Sequence, residues 1–205
     1  LVVDAAGELL ARGAQFAEDL LVVDVGGGST ETVFGVGGMD PSCGHSFNVG
    51  CRRVTEKFLA TDPPTADEIE RARHWVDGAF SSWFAEQGER VAAIYRVVAV
   101  AGTATTVVSI REEMERYDSK RVHGACVSRS DLAAIYDRLR ALPLRAREQV
   151  VGLDPKRAPV MVAGLLILRS VLDAACADAF TVSETDILHG IVLAAAREGF
   201  SQHGL

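Results

Sequence analysis

The chain has no CxxC pair, and its four cysteines, Cys43, Cys51, Cys126 and Cys176, stand far apart. That spacing excludes a cysteine-built zinc module. It also argues against a disulfide framework, and predicts reduced, partly buried thiols in a cytosolic protein. Long apolar runs are missing too. The most apolar stretch, Ala158 to Leu168, is about half of the roughly 20 residues a bilayer span needs, and Arg169 closes it. No basic segment leads into an apolar run at the N-terminus, so no signal peptide is expected and the predicted location is the cytoplasm. Positive charge is in deficit. A net charge of −7 argues against nucleic acid as a partner, because nonspecific binders rely on Lys and Arg neutralising phosphates. It leaves room for a small anion site built from amides and metal. With 205 residues, 48% apolar and 24% charged, the chain suits one well-filled globular domain or two small ones.

The richest segment is Leu20 to Glu31, LLVVDVGGGSTE. Its aliphatic run predicts a strand buried on both faces, with Asp24 at the end where ligands gather in α/β proteins. Gly26, Gly27 and Gly28 allow main-chain N–H groups to approach an anion closely, and Ser29 and Thr30 add hydroxyl donors. Glu31 returns a second carboxylate to the same mouth. Amides of this kind suit phosphate, and the two carboxylates suit a divalent cation, Mg²⁺ or Mn²⁺, held by Asp24 and Glu31. A glycine-rich hairpin turn between two solvated acids is the plainer alternative, but three glycines exceed what a tight turn needs.

A chemical match follows at Gly102-Thr103-Ala104-Thr105-Thr106, where a strand runs into a helix N-terminus whose dipole favours anions. Gly102, Thr103 and Thr105 are therefore candidate phosphate contacts, against the alternative of an ordinary capped helix. Arg52 and Arg53 follow Gly50, and either would clamp a phosphate by its planar fork or lie on a solvated helix face. Lys120, Arg121 and His123 form a basic knot that would meet a polyanion's tail or, more simply, belong to an ordinary loop. His189 reads as a packing or capping residue, and Trp75 and Trp83 as core or interface.

Periodicity supplies the frame. Thr30 to Val36 and His45 to Val49 continue the first strand as a meander, with turns at Gly37-Gly38 and Asp40-Pro41-Ser42. Thr65 and Glu68 make a capping box for a helix over Ala66 to Glu86. Val91 to Ala101 predicts a fourth strand, followed by a helix to about Arg116. Ser130 is expected to cap a helix through Ala141, with a helical turn or two over Leu144 to Val151. Ala158 to Ala177 reads as a long buried helix, Phe180 to Ser183 as a strand and Thr185 to Glu198 as a last helix. The order βββα-βα-(helical insert)-αβα is that of an α/β fold with a mixed sheet. It corresponds to one actin-like (ribonuclease H-like, ASKHA) lobe. The expected organisation is a leading helix or lobe remnant over 1–19, the lobe over 20–198 with its helical insert at 117–155, and a tail at 199–205.

Several segments together carry a resemblance. DVGGGSTE (Asp24 to Glu31), VGCRRVTEKFL (Val49 to Leu59), VAGTATTVVSI (Val100 to Ile110), YDSKRVHG (Tyr117 to Gly124), GLDPKRAPVMVAGLLIL (Gly152 to Leu168) and TVSETDILHGI (Thr181 to Ile191) occur in sequence. In that order they resemble the exopolyphosphatase / guanosine pentaphosphate phosphohydrolase (Ppx/GppA) family. The resemblance implies Mg²⁺-dependent hydrolysis of terminal phosphate from inorganic polyphosphate or pppGpp by a metal-positioned water, in a cleft between two actin-like lobes. It places Asp24 and Glu31 in the catalytic and metal set, Gly26 to Ser29 and Gly102 to Thr105 in the phosphate cradle, and Arg53 at a basic position. The family's first lobe, with its own glycine-rich loop and a catalytic glutamate, would precede Leu20, so activity is expected to need that lobe. Surface it would cover is expected to invite a homodimer. Leu188-His189-Gly190 stands where many members carry Arg-Glu-Gly. Two rivals remain: a noncatalytic module binding (p)ppGpp, nucleotide or polyphosphate, and a sugar or acetate kinase lobe.

Overall fold

The computed structural model describes residues 2–3, 9–11, 19–36 and 43–185. Its main sheet has six strands in the order β5-β4-β3-β6-β8-β7. These are β3 (Asp19–Val25), β4 (Thr30–Val36), β5 (Cys43–Phe47), β6 (Ile94–Val100), β7 (Cys126–Ser128) and β8 (Ala179–Ser183). The β3-β4-β5 meander is antiparallel, β6 and β8 run parallel to β3, and β7 closes the far edge antiparallel to β8. The sheet is therefore mixed, as expected for an actin-like lobe.

Helices cover one face. They are α1 (Cys51–Phe58), α2 (Ala66–Gln87), α3 (Glu89–Ala92), α4 (Ala101–Arg111), α5 (Ser119–Val122), α6 (Arg129–Arg140), α7 (Leu144–Arg147) and α8 (Ala158–Ala174). The alternation along the strands decides which side chains meet them. Leu21, Val23 and Val25 of β3 point inward with Thr30, Thr32 and Phe34 of β4, and all are buried. α8 is apolar on nearly every side because α1, α2, α6 and β3 surround it. Fully buried residues such as Leu165 and Phe80 anchor this layer, and truncating one to Ala would cost about 2–5 kcal/mol. Trp83 stacks on Phe34 at 5.4 Å, while Trp75 lies beside Phe58 with the Lys57 ammonium 4.3 Å from its ring. Among the described residues no helix is long and apolar enough to cross a membrane.

Several expectations change. The leading segment, expected as a helix or a lobe remnant, holds strands in place of the helix: β1 (Val2–Val3) and β2 (Leu9–Ala11), paired antiparallel. Its short aliphatic runs satisfy their backbone groups across a ladder. The insert at 117–155 is not wholly helical, since Cys126–Ser128 completes the sheet edge as β7. Ser128, not Ser130, caps α6, because its hydroxyl meets the Asp131 amide in a capping box. The fourth strand starts at Ile94, after the short helix Glu89–Ala92 has used the residues before it. α1 is the helix whose exposed face was one of the two placements expected for Arg52 and Arg53. The turn at 37–42, the last helix and His189 lie outside the described residues.

The Thr65–Glu68 capping box is present as expected. The Glu68 carboxylate accepts from the Thr61 and Thr65 hydroxyls and from the amides of Ala60, Thr61 and Thr65. The Thr61 hydroxyl is the chief cause of a pKa held down at about 2. A depressed carboxylate stabilises the fold above its unfolded value, and that contribution is lost as pH falls through the folded one. Between about pH 4.5 and 2, the wild type should therefore lose more stability than Glu68→Gln. Paired Tm-against-pH curves check this, and parallel curves would contradict it.

Candidate functional site

The central strands β3 and β6 are parallel neighbours, so their C-terminal ends open on the same edge, with Asp24 in register with Val100. The glycine loop leaves β3 there, and α4 begins there after β6. This is the crevice outside the carboxyl ends of the strands where α/β sheets take ligands. The same register sets Asp24 directly opposite Glu31 across the β3-β4 hairpin. Opposed residues point to one face, so the two side chains leave the hairpin on the same side, and both residues are half-buried. Ser46, opposite Glu31 on β5, donates its hydroxyl to Glu31 Oε1 at 2.7 Å and fixes that carboxylate.

The loop owes its shape to α1. Cys51 N–H donates to the Gly26 carbonyl at 2.9 Å, and Arg52 and Arg53 N–H donate to the Gly27 carbonyl at 3.0 and 3.2 Å. Arg53 Nε donates to the Gly28 carbonyl at 3.1 Å. In a planar trans peptide, each carbonyl opposes the N–H of the next residue. Drawing these three carbonyls onto α1 therefore directs the amides of Gly27, Gly28 and Ser29 the other way, as a nest for an anion. Gly26 does not join them, because its N–H closes the loop onto the Ser29 carbonyl at 2.9 Å. Gly50 permits the approach: a Cβ there would stand 2.4 Å from the Gly27 oxygen.

The second passage behaves similarly. α4 starts without any side-chain cap, and the chain turns into it at Ala101 with φ 60°. Its first-turn amides thus lack the usual side-chain partner. The predicted threonine hydroxyls are spent on the scaffold instead. Thr30 is fully buried and donates to the Val49 carbonyl at 2.6 Å, so it leaves the predicted phosphate set. Thr103 is buried too, and bonds the Val25 carbonyl at 3.0 Å, tying α4 to the end of β3. Thr105 turns back toward the Gly102 carbonyl at 3.4 Å. The two passages therefore offer mainly amides.

One residue escaped the sequence reading. Arg157, the N-cap of α8, lays its guanidinium over Gly102, where a Cβ would stand 2.0 Å from Nη1. Its charge also acts on the Cys51 thiol, which burial nevertheless pushes up and keeps neutral. Beyond Arg157 opens a cavity of about 460 Å³, lined in part by Thr105, Ser109, Glu115, Tyr117 and Asp154. The basic knot is dispersed: Arg121 pairs with Glu112 at 2.5 Å, and His123 Nδ1 accepts the Glu184 amide at 3.2 Å.

The Ppx/GppA phosphatase family profile matches residues 10–198. The chain belongs to the Ppx/GppA phosphatase family. Exopolyphosphatase 2 of Mycobacterium tuberculosis is 36% identical over 196 residues, which cover 94% of this chain and 59% of that protein. The bifunctional 3-dehydroquinate synthase/phosphatase of Fusobacterium nucleatum is 34% identical over 192 residues, covering 91% of this chain and 28% of that one. The crystal structure of the Aquifex aeolicus Ppx/GppA family member superposes with a TM-score of 0.80 at 26% identity, over 92% of this chain and 58% of that one. This Ppx/GppA chain thus spans less than two thirds of each of these relatives. The actin-like fold read from element order is that of the family's solved structures.

Proposed function

We propose that this chain forms one wall of a phosphohydrolase site that removes terminal phosphate from a phosphoanhydride, inorganic polyphosphate or pppGpp. One observation carries the reading: the outward amides of Gly27, Gly28 and Ser29 lie beside the opposed carboxylates of Asp24 and Glu31. Two half-buried carboxylates suit Mg²⁺ or Mn²⁺, since such an ion takes one or two carboxylates and keeps several waters. Bound there, the ion would supply positive charge against the phosphoryl oxygens. Glu31, held by Ser46, orients the attacking water and takes its proton. The new P–O bond forms as the anhydride P–O bond opposite it breaks, and the leaving oxygen carries the electron pair away. The loop amides, the α4 N-terminus and Arg157 stabilise the phosphoryl charge, which is where most phosphoryl-transfer catalysis resides. The remainder of the ligand extends past Arg157 toward the neighbouring cavity. The facing wall is the N-terminal lobe that the family resemblance implies.

A second reading is a noncatalytic module that binds the same ligands. One observation favours it: the amides of the glycine loop and the uncapped start of α4 would hold a phosphate by themselves, with no chemical step asked of Asp24 or Glu31. Calorimetry with polyphosphate and pppGpp, run beside an orthophosphate-release assay with Mg²⁺, separates the two in a protein that carries both walls of the cleft. Release that depends on Mg²⁺ supports the enzyme, binding without release supports the module, and neither binding nor release rejects both.

A further inference from the structure

We infer that Arg53 is a positioning residue, acting on the ligand through the Gly28–Ser29 peptide of the loop without itself touching phosphate. The inference rests on the phosphate reading of that loop. Three carbonyls must face α1 for three amides to face the anion, and α1 secures only two of them with its backbone. The Gly26 and Gly27 carbonyls take the amides of Cys51, Arg52 and Arg53. The Gly28 carbonyl is held by the Arg53 side chain, through Nε at 3.1 Å.

On its Cβ side Gly28 has no packing that would substitute for that bond. A Cβ built on Gly28 would meet no atom within 4 Å, and the residue is exposed. Glycine also populates both signs of φ readily, so an unheld Gly28–Ser29 peptide would be free to flip. A flip would turn a carbonyl oxygen, in place of the Ser29 N–H, toward the phosphate. An attractive dipole would become a repulsive one. The guanidinium suits the task because its donors are fixed in a plane, with Nε aimed at the loop. Lysine retains the charge but offers no donor at that position.

The test uses this chain with Arg53→Lys and Arg53→Met, reading ¹⁵N order parameters without ligand and tripolyphosphate affinity by calorimetry. Arg53 is exposed, so both variants should keep the wild-type Tm. In both, the order parameters of Gly28 and Ser29 should fall from about 0.85 toward 0.6. Affinity should weaken about tenfold in both, the scale of one hydrogen bond to a charged group. Unchanged order parameters would overturn the inference. So would Arg53→Lys holding wild-type affinity while Arg53→Met loses it, since charge would then act directly. If wild-type protein binds no tripolyphosphate while the variants still loosen the loop, the phosphate reading fails and the positioning of the loop stands.

Discussion

Glu31→Gln should lower orthophosphate release about 10²- to 10⁴-fold, the span expected when a general base is removed, while the fold survives. The substitution keeps the side chain's shape and an oxygen able to accept from the Ser46 hydroxyl, now 2.7 Å from Oε1. It removes the charge and the basic site. Because Glu31 lies at the strand end facing the crevice, and not in the packed layer beneath β4, stability should change little. The assay belongs in a protein that carries both walls of the cleft, with Tm recorded beside it. Undiminished release from a folded variant would remove Glu31 from the chemistry.

Gly50→Ala should be nearly as damaging by a different route. Gly50 has an extended backbone, φ −137°, so conformational freedom is not the issue. The obstacle is space. A methyl group would sit 2.4 Å from the Gly27 oxygen and 2.5 Å from the Gly28 carbonyl carbon, and backbone atoms cannot swing aside as a flexible side chain would. Either the loop or the start of α1 must move. Forced overpacking of this kind costs about 1–3 kcal/mol, or roughly 2–10 °C in Tm for a domain of this size. The functional loss should exceed the stability loss, because a displacement of about 1 Å in a positioning element can cost about 10²-fold in rate. Phosphate binding and release should both collapse in a protein that still unfolds cooperatively. Wild-type release would show that the close packing of Gly50 on the loop is dispensable.

Much of this was legible before any coordinates. The aliphatic run marked β3, though it is buried on one face and only half-buried on the other; alternation marked β4, the run of glycines marked the anion loop, and the element order gave the lobe. The parity of the hairpin was also written in the sequence. In TETVFGV, Thr30, Thr32 and Phe34 fall on one face and Glu31 on the other, which already sends the Thr30 hydroxyl inward. That parity keeps Thr30 from serving as a phosphate donor. Other features have no local signal. Gly50 looks like an ordinary residue before a helix until the loop is packed against it. Arg157 is far from Gly102 in sequence, and only the packing of α8 brings its guanidinium there. The leading strands Val2–Val3 and Leu9–Ala11 are too short for periodicity to separate them from helix.

In the proposed function, outward amides and paired carboxylates make a metal-assisted phosphate wall. Calorimetric titration of inorganic polyphosphate into this chain, with and without Mg²⁺, tests it most directly. Saturable binding that strengthens when Mg²⁺ is present is the expected result, because a divalent cation offsets the negative charge that Asp24 and Glu31 share with the polyanion. Binding that is absent under both conditions, or indifferent to the metal, would contradict it.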